Sequence, residues 1–268
     1  MYPIISQRSS VGLDYHNGSY KTGRRHVLPL WKALPTLGFY RYIFPIVWKA
    51  GAKAKKGNYD TTEWAKSSLA VLHALEHIGI KFEITGVEHF RELKGPCVFL
   101  SNHMSTLETF VLPAIIASIK PVTFVVKESL VETPVFKYVM RSRDPITVGR
   151  ANPREDLKAV FEGGTGRLNA GISIIIFPQT TRFLDFDPKK FNTIGIKLAK
   201  KANVPVVPVA LKTDAWGNGR VFKDFGKMDP SKIVHFAFGE PLRIRDRGTE
   251  EHEKVLEFIS SKLKEWGA

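Results

Sequence analysis

The chain has a single cysteine, Cys97, among its 268 residues. One cysteine excludes a disulfide within the chain and a metal site built from several cysteines, and it fits a reducing compartment. Cys97 stands at the start of a short apolar run. We therefore interpret it as a small buried side chain rather than a nucleophile.

Acidic residues are scarce relative to basic ones. Asp and Glu number 26 against 40 Lys and Arg, which gives a formal net charge of +14. Such an excess favours a polyanionic partner, namely nucleic acid, an anionic membrane surface or phosphorylated substrates. The sequence lacks zinc-finger spacing and the aromatic signature of RNA-binding sheets, so we expect no nucleic-acid partner.

The sequence also lacks a long apolar run. Residues 1–8 have no secretory signal core. Residues 27–48 are rich in aromatic and aliphatic side chains, but prolines and charges interrupt them, whereas a spanning helix needs about 20 mostly apolar residues. The basic residues that follow are Lys49, Lys53, Lys55 and Lys56. Aromatic residues beside basic ones indicate an interfacial segment that lies in the bilayer surface. The alternative is a pair of short helices packed on the protein's own core.

From residue 60 onward, the apolar patterns predict alternating helices and strands. A helix starts near Asp60 and ends near Ile78, and others are expected over 107–119, 152–169, 194–201 and 250–266. Strands are expected over 81–85, 98–100, 122–126, 172–176, 206–211 and 233–238. Prolines in the run 204–211 hint at an edge strand or a bend. This alternation predicts an α/β fold with a mainly parallel sheet covered by helices.

The patterns divide the chain into three parts. Residues 1–25 are predicted to be a flexible arm, and residues 26–79 an N-terminal amphipathic helical segment at the membrane interface. Residues 80–268 are predicted to form the α/β domain. We expect a peripheral or monotopic protein on the cytoplasmic face of an anionic membrane.

Polar residues 101–108 follow the apolar strand 98–100 directly. In parallel sheets, sites gather at the carboxyl ends of strands. His103 can take a proton from a hydroxyl there, because the reference pKa of histidine is about 6.5. A carboxylate on the other ring nitrogen, here Glu108, would fix the tautomer.

The spacing of His103 and Glu108 sets a condition. Five residues on a regular helix turn by about 500°, so the two side chains would point apart on one helix. They meet only if His103 lies in the loop before the helix, with Ser105 as its cap. Alternatively, Ser105 and Glu108 form a capping box, and Glu108 has a purely structural role. This segment alone leaves both interpretations open.

Two further runs end in arginine. Residues 174–182 leave another buried strand, so Arg182 is expected at the same sheet edge as His103. A guanidinium there can hold a phosphate with two hydrogen bonds. The alternative is a surface arginine beyond a turn. The run 145–150 ends similarly in Arg150.

In order, these segments resemble the glycerol-phosphate and lysophosphatidate acyltransferase family. That family shows Asn-His, four residues and Asp; then an Arg after an apolar run; then Phe-Pro-Glu-Gly-Thr-Arg; then Val-Pro-Val-Val-Pro-Val. The matching stretches here are Asn102-His103 with Glu108, Gly149-Arg150, residues 177–182 and residues 204–209. Residues 127–130 and 238–242 add support, and the resemblance covers roughly residues 80–245.

The resemblance implies roles for particular residues. His103 would be the general base and Glu108 its partner. The acceptor's phosphate would be bound by Arg150 and Arg182, with Lys127 as a helper. The loops around the substrate would contain Asn102, Gln179, Thr180 and Thr181. Residues 110–119 or the apolar N-terminal segment would line the acyl channel.

The resemblance also implies the reaction. The expected enzyme is a membrane-associated O-acyltransferase of phospholipid synthesis. It would move a fatty acyl group from acyl-CoA or acyl carrier protein to a hydroxyl of lysophosphatidate or a similar lipid. Neither a metal nor another cofactor is expected. The alternatives are an acyltransferase for a lipid A-like or amino-acid lipid, and a non-catalytic lipid-binding relative. A hydrolase is disfavoured, because no Gly-x-Ser-x-Gly elbow occurs.

Three positions depart from the family pattern. Glu108 replaces an aspartate and keeps the carboxylate, with one more methylene of reach. Gln179 replaces a glutamate, which removes an acidic neighbour of the phosphate site. Thr180 replaces a glycine, which changes the backbone freedom of the loop. The last two changes bear on the identity of the acceptor.

Overall fold

The computed structural model describes residues 12–133, 136–149, 151–179, 181–219 and 223–268. Arg150 and Thr180, two of the predicted site residues, lie outside the described residues, as do residues 1–11 of the predicted arm.

The described strands form one eight-stranded sheet with the order β1-β2-β8-β7-β3-β6-β4-β5. They are β1 (Tyr20–Lys21), β2 (Lys81–Thr85), β3 (Val98–Ser101), β4 (Val122–Lys127), β5 (Ile146–Val148), β6 (Ser173–Ile176), β7 (Val206–Lys212) and β8 (Ile233–Phe238). Neighbouring strands are parallel except for β1 with β2 and β7 with β8. The predicted α/β fold with a mainly parallel sheet is confirmed.

Helices pack around this sheet. They are α1 (Pro29–Ala33), α2 (Pro35–Lys55), α3 (Thr61–His77), α4 (Val87–Arg91), α5 (Leu107–Ile116), α6 (Glu128–Glu132), α7 (Lys137–Ser142), α8 (Pro153–Asn169), α9 (Ile194–Ala202) and α10 (Thr249–Glu265). Every residue of β3 and β6 is buried. Because successive side chains of a strand point to opposite faces, both faces of the sheet centre are covered.

The start of α3 follows the predicted capping pattern. The Asp60 carboxylate accepts a hydrogen bond of 2.8 Å from the backbone amide of Glu63. This bond satisfies one of the amide groups that the first turn of a helix leaves unpaired. The helix predicted from Asp60 is therefore confirmed.

The strand that contains Pro208 lies inside the sheet. Strand β7 runs between β8 and β3, so the expectation of an edge strand is wrong. The Pro208 carbonyl accepts a hydrogen bond of 2.8 Å from the amide of Gly239, one residue beyond the end of β8. In a strand, the N–H and C=O of one residue point to the same neighbour. The missing N–H therefore faces the point where β8 ends, and no bond of the β8 strand is lost.

The N-terminal segment contains α1, α2 and α3. On α2, Phe39 and Ile43 are buried, so the helix packs on the protein's own core. Large apolar side chains on α1, α2 and their connections are nevertheless exposed, namely Leu28, Leu30, Leu34, Leu37, Phe44 and Trp48. Across the described ranges, the helices all fall short of the length and apolar character that crossing a membrane requires.

Part of the predicted arm is joined to the sheet. Strand β1 pairs with β2, and the Thr22 amide donates a hydrogen bond of 3.0 Å to the Phe82 carbonyl. Tyr20 and Thr22 donate hydrogen bonds of 2.6 and 2.7 Å to the buried carboxylate of Glu76. Residues 20–22 are thereby held against α3 and the sheet.

Candidate active site

The candidate site lies where three parallel strands end. Strands β3, β6 and β7 are neighbours and run in the same direction. Their carboxyl ends therefore meet at one edge of the sheet, the usual position of a site in this class of fold. The residues that follow β3 include His103, and those that follow β6 include Gln179 and Arg182.

His103 and Glu108 contact each other at this edge. His103 lies in the loop between β3 and α5, and Glu108 lies in the first turn of α5. The Nδ1 atom of His103 is 2.8 Å from Oε1 of Glu108. His103 thus precedes the helix, as their spacing requires. The residue directly before the helix is Thr106 rather than the predicted cap Ser105.

The Glu108 carboxylate is fully buried and accepts several hydrogen bonds. Its Oε1 accepts bonds of 2.7 and 2.9 Å from the amides of Met104 and Ser105. Its Oε2 accepts a bond of 2.6 Å from the Thr213 hydroxyl. The Ser105 hydroxyl in turn accepts a bond of 3.1 Å from the amide of Leu107. The two interpretations of Glu108 are therefore compatible, because one carboxylate contacts His103 and also holds the helix start.

These contacts determine the charge of Glu108. Burial by itself would raise the pKa of this carboxyl group. The hydrogen bond and charge of His103, together with the bonds from Thr213 and Ser105, hold the pKa of Glu108 below its usual value. The carboxylate is therefore ionised at neutral pH.

An ionised Glu108 defines the tautomer of His103. A carboxylate only accepts hydrogen bonds, so Nδ1 of His103 must carry the proton that it shares with Glu108. In the neutral ring, Nε2 then keeps its lone pair. The ring also stacks on Phe177, with centroids 4.3 Å apart and an angle of 18° between the planes. The side chain remains 16% exposed, which leaves room for contact with a substrate.

Asn102 and Gln179 hold the backbone around His103. The side-chain amide of Asn102 donates a hydrogen bond of 2.8 Å to the carbonyl of Leu211 and accepts one of 3.0 Å from the backbone N–H of Leu211. These bonds join the end of β3 to β7. The Oε1 atom of Gln179 accepts a hydrogen bond of 2.7 Å from the amide of His103. Gln179 thus joins the loop after β6 to the loop after β3.

Arg182 lies beside the same loop. Its neighbour Phe183 donates an amide hydrogen bond of 3.0 Å to the carbonyl of His103. The guanidinium hydrogen-bonds the Thr106 hydroxyl through Nη1. Its Nη2 is 2.8 Å from Oδ1 of Asp224. Arg182 is therefore a mostly buried cation at the edge of the sheet, not a free surface arginine.

The remaining predicted site residues are Lys127, Thr181, Arg150 and Thr180. Lys127 is exposed at the end of β4, where α6 begins. Thr181 is half-buried in the bend before Arg182. Arg150 and Thr180 belong to the residues that are not described, so their predicted roles stay predictions. Over the described ranges, no group of three or more His, Cys, Asp or Glu side chains is arranged to hold a metal ion.

Some residues of this site were not identified from the sequence. Thr213 follows β7 directly, so the strand-end argument that selects His103 could have selected it too. Phe177 lies inside the third motif, but its stacking on His103 is a matter of packing. Asp224 carries no sequence signal, because its segment reaches Arg182 only through the tertiary fold.

Comparison with known proteins locates the family. The family model described as Acyltransferase matches residues 81–212. The 1-acyl-sn-glycerol-3-phosphate acyltransferase of Pseudomonas aeruginosa is 36% identical over 132 residues, which are 49% of this chain and 49% of that protein. A probable 1-acyl-sn-glycerol-3-phosphate acyltransferase of Mycoplasma genitalium is 33% identical over 121 residues, 44% of each chain. The chain thus spans about half the length of the curated relatives that it matches.

A solved structure shares the fold. The crystal structure of the 1-acyl-sn-glycerophosphate (LPA) acyltransferase PlsC from Thermotoga maritima aligns with a TM-score of 0.66 and 20% sequence identity. The alignment covers 89% of this chain and 97% of that one. The family match contains strands β2 to β7 and the His103–Glu108 pair. Residues 81–212 of this chain therefore resemble the acyltransferase family.

Proposed function

We propose that this protein is a membrane-associated O-acyltransferase of phospholipid synthesis. It moves a fatty acyl group from acyl-CoA or acyl carrier protein to a free hydroxyl of lysophosphatidate or a similar glycerol-phosphate lipid. The observation that carries this proposal is the bond between His103 and the buried Glu108, inside a domain that matches the acyltransferase family. The names of the curated relatives support the choice of acceptor.

In this proposal, His103 is the general base. Glu108 holds the Nδ1 proton, so Nε2 is the ring atom that can accept a proton from the acceptor hydroxyl. The positive charge that then develops on the ring is stabilised by the adjacent carboxylate. Phe177 packs on one face of the ring and restricts its movement. The hydrogen bond from the backbone amide of His103 to Gln179 restricts the movement of the loop.

The acyl transfer needs no cofactor. As His103 takes the hydroxyl proton, the acceptor oxygen attacks the thioester carbonyl and a new C–O bond forms. The C–S bond then breaks, and the departing thiolate takes the proton from Nε2. His103 ends the cycle neutral, and the products are the O-acyl lipid and a free thiol.

The phosphate of the acceptor is assigned to the basic residues of the same edge. Arg182 lies beside the His103 loop, and a guanidinium suits a phosphate better than an ammonium does because it offers paired donors. Lys127 at the end of β4 is the second candidate. Arg150 is retained as a third candidate on sequence grounds alone.

Membrane association is assigned to α1 and α2. Trp48 is 80% exposed, and Leu37 and Phe44 are more than half exposed. Lys49, Lys53 and Lys55 lie in the last turns of α2 and continue into Lys56. Apolar side chains beside lysines suit the surface of an anionic bilayer, where each basic residue contributes about 1 kcal/mol. We propose peripheral binding at the cytoplasmic face.

A product assay tests the function directly. The purified full chain in detergent is incubated with acyl-CoA and lysophosphatidate, and phosphatidate and free thiol are measured by mass spectrometry. Wild type should form both products in equal amounts. His103→Ala should lower kcat by at least about 10²-fold, the usual contribution of a general base. The matched control is His16→Ala, because His16 is exposed on the N-terminal turn.

Other outcomes contradict parts of the proposal. Thiol release without phosphatidate would indicate hydrolysis or a different acceptor. Lipid binding without either product would indicate a non-catalytic relative. Turnover in His103→Ala above a tenth of the wild-type value would refute the assignment of the base. Arg182→Ala should raise the KM for lysophosphatidate, and an unchanged KM would remove Arg182 from the phosphate site.

A further inference from the structure

The guanidinium of Arg182 is held at one end by two groups of this chain. Its Nη2 is 2.8 Å from Oδ1 of Asp224, and Nη1 bonds the Thr106 hydroxyl. That hydroxyl is itself 3.2 Å from the same Asp224 oxygen. The contacts form a closed ring across the two terminal nitrogens of the guanidinium.

Asp224 reaches this position through the fold. The segment that follows it is held on α2, because the Tyr40 hydroxyl donates a bond of 2.9 Å to the Gly226 carbonyl. The amide of Met228 also donates a bond of 3.0 Å to the Thr36 hydroxyl. Gly226 lies so close to Gly217 that a Cβ would be 1.4 Å from the Gly217 carbonyl oxygen. The backbone two to four residues after Asp224 is therefore held between α2 and Gly217, while Asp224 itself is exposed.

A guanidinium held in this way can still bind a phosphate. Its five N–H groups lie in one plane. The contacts with Asp224 and Thr106 occupy the edge of the guanidinium that Nη1 and Nη2 form. The Nε side of the fork is then the edge that suits two parallel hydrogen bonds to a phosphate. Holding the other end reduces the freedom that the long side chain would lose on binding.

Asp224 also supplies a charge that the third motif lacks. Gln179 stands where the family pattern has a glutamate, and its amide oxygen binds the backbone of His103. The carboxylate beside Arg182 comes instead from Asp224, in a different segment of the chain.

We propose that Asp224 is a positioning residue for acceptor binding. It acts through Arg182, whose guanidinium it orients so that the Nε edge meets the phosphate of the acceptor. The inference rests on the proposed phosphate-binding role of Arg182. The binding strength of that arginine then depends on a carboxylate that lies outside all four family motifs.

The test compares Asp224→Ala with wild type in two measurements. The first is the KM for lysophosphatidate, which should rise about three- to fivefold while kcat stays within twofold, as loss of a partly exposed ion pair predicts. The second is the Kd for glycerol 3-phosphate, measured by calorimetry on the full chain in detergent, which should rise by a similar factor. Asp224→Glu should restore part of both values.

Two controls separate positioning from a structural role. In an Arg182→Gln background, Asp224→Ala should change neither value further, because the residue that it orients is gone. Glu257→Ala, which removes an exposed carboxylate on α10, should match wild type. A KM and Kd that are unchanged or lower in Asp224→Ala would overturn the inference. The binding measurement needs no turnover, so it tests the role of Asp224 even if wild type makes no phosphatidate and the proposed function fails.

Discussion

The Nδ1 atom of His103 lies 2.8 Å from Oε1 of Glu108, and the same oxygen accepts the backbone amide of Met104, the residue after the histidine. One buried carboxylate thus fixes the imidazole ring and the turn that carries it. A change at Glu108 therefore affects both the tautomer of the base and the position of its loop.

Replacing Glu108 should lower the rate more than it alters substrate binding. Glu108→Gln removes the charge that fixes the His103 tautomer, so kcat should fall on the order of 10²-fold or more. Glu108→Asp keeps the charge but shortens the side chain, so its kcat should lie between that of wild type and that of Glu108→Gln. Steady-state kinetics with both substrates measures the effect. A kcat for Glu108→Gln within tenfold of wild type would contradict the role of the carboxylate.

Gln179 should act through the backbone of His103. Gln179→Leu leaves the amide of His103 without its acceptor, which costs about 1–3 kcal/mol when the group is buried. We expect a lower melting temperature and a lower kcat. Gln179→Glu keeps an acceptor oxygen at this position, so it should retain most of the activity. Equal losses in the two variants would show that the amide oxygen is not what matters.

The hydrogen bonds and ion pair of the buried Glu76 carboxylate should make the free energy of unfolding depend on pH. Burial alone would raise the pKa of Glu76, but hydrogen bonds from His73, Tyr20 and Thr22 and the charge of Arg25 hold that pKa below its usual value. Burial and the bond to Glu76 also raise the pKa of Tyr20 to about 12. Because the folded pKa of Glu76 is lower than the unfolded one, this stabilisation is present above about pH 4.3 and is lost as pH falls through the folded value.

Substitution of Glu76 tests this pH dependence. Glu76→Gln should lower the free energy of unfolding at pH 7 by about 1–3 kcal/mol. The difference from wild type should shrink as the pH falls below about 4. Thermal unfolding followed by circular dichroism between about pH 3 and 7 measures both effects. Glu257→Gln, an exposed carboxylate on α10, is the matched control. A difference that is constant over this pH range would refute the linkage.

The exposed apolar side chains of α2 should bind lipid. The double variant Leu37→Ser and Trp48→Ser should weaken binding to vesicles that contain phosphatidylglycerol by about tenfold or more, since each apolar side chain contributes about 1.5–3 kcal/mol when buried. Sedimentation with vesicles measures the bound fraction. Ile233→Ser removes an exposed apolar residue at the start of β8 and should bind like wild type. Equal binding by both variants would place the lipid surface elsewhere.

Local patterns in the sequence are enough to predict the succession of helices and strands. Apolar runs such as residues 172–176 and capping residues such as Asp60 act locally, so their structural effect follows from spacing and propensity alone. The carboxyl ends of parallel strands share one edge, which is why the sequence alone predicts that His103 and Arg182 lie near each other. Family motifs added the roles proposed for these residues.

Completion of the site depends on contacts between segments that are far apart in the chain. Pro208 fits inside the sheet because β8 ends opposite it, and this register is set by pairing between segments far apart in the chain. The contact of Thr213 with Glu108 joins residues 105 positions apart. The contact of Asp224 with Arg182 joins residues that lie before and after β7 in the chain. Such contacts arise when distant segments pack together, so local sequence patterns do not predict them.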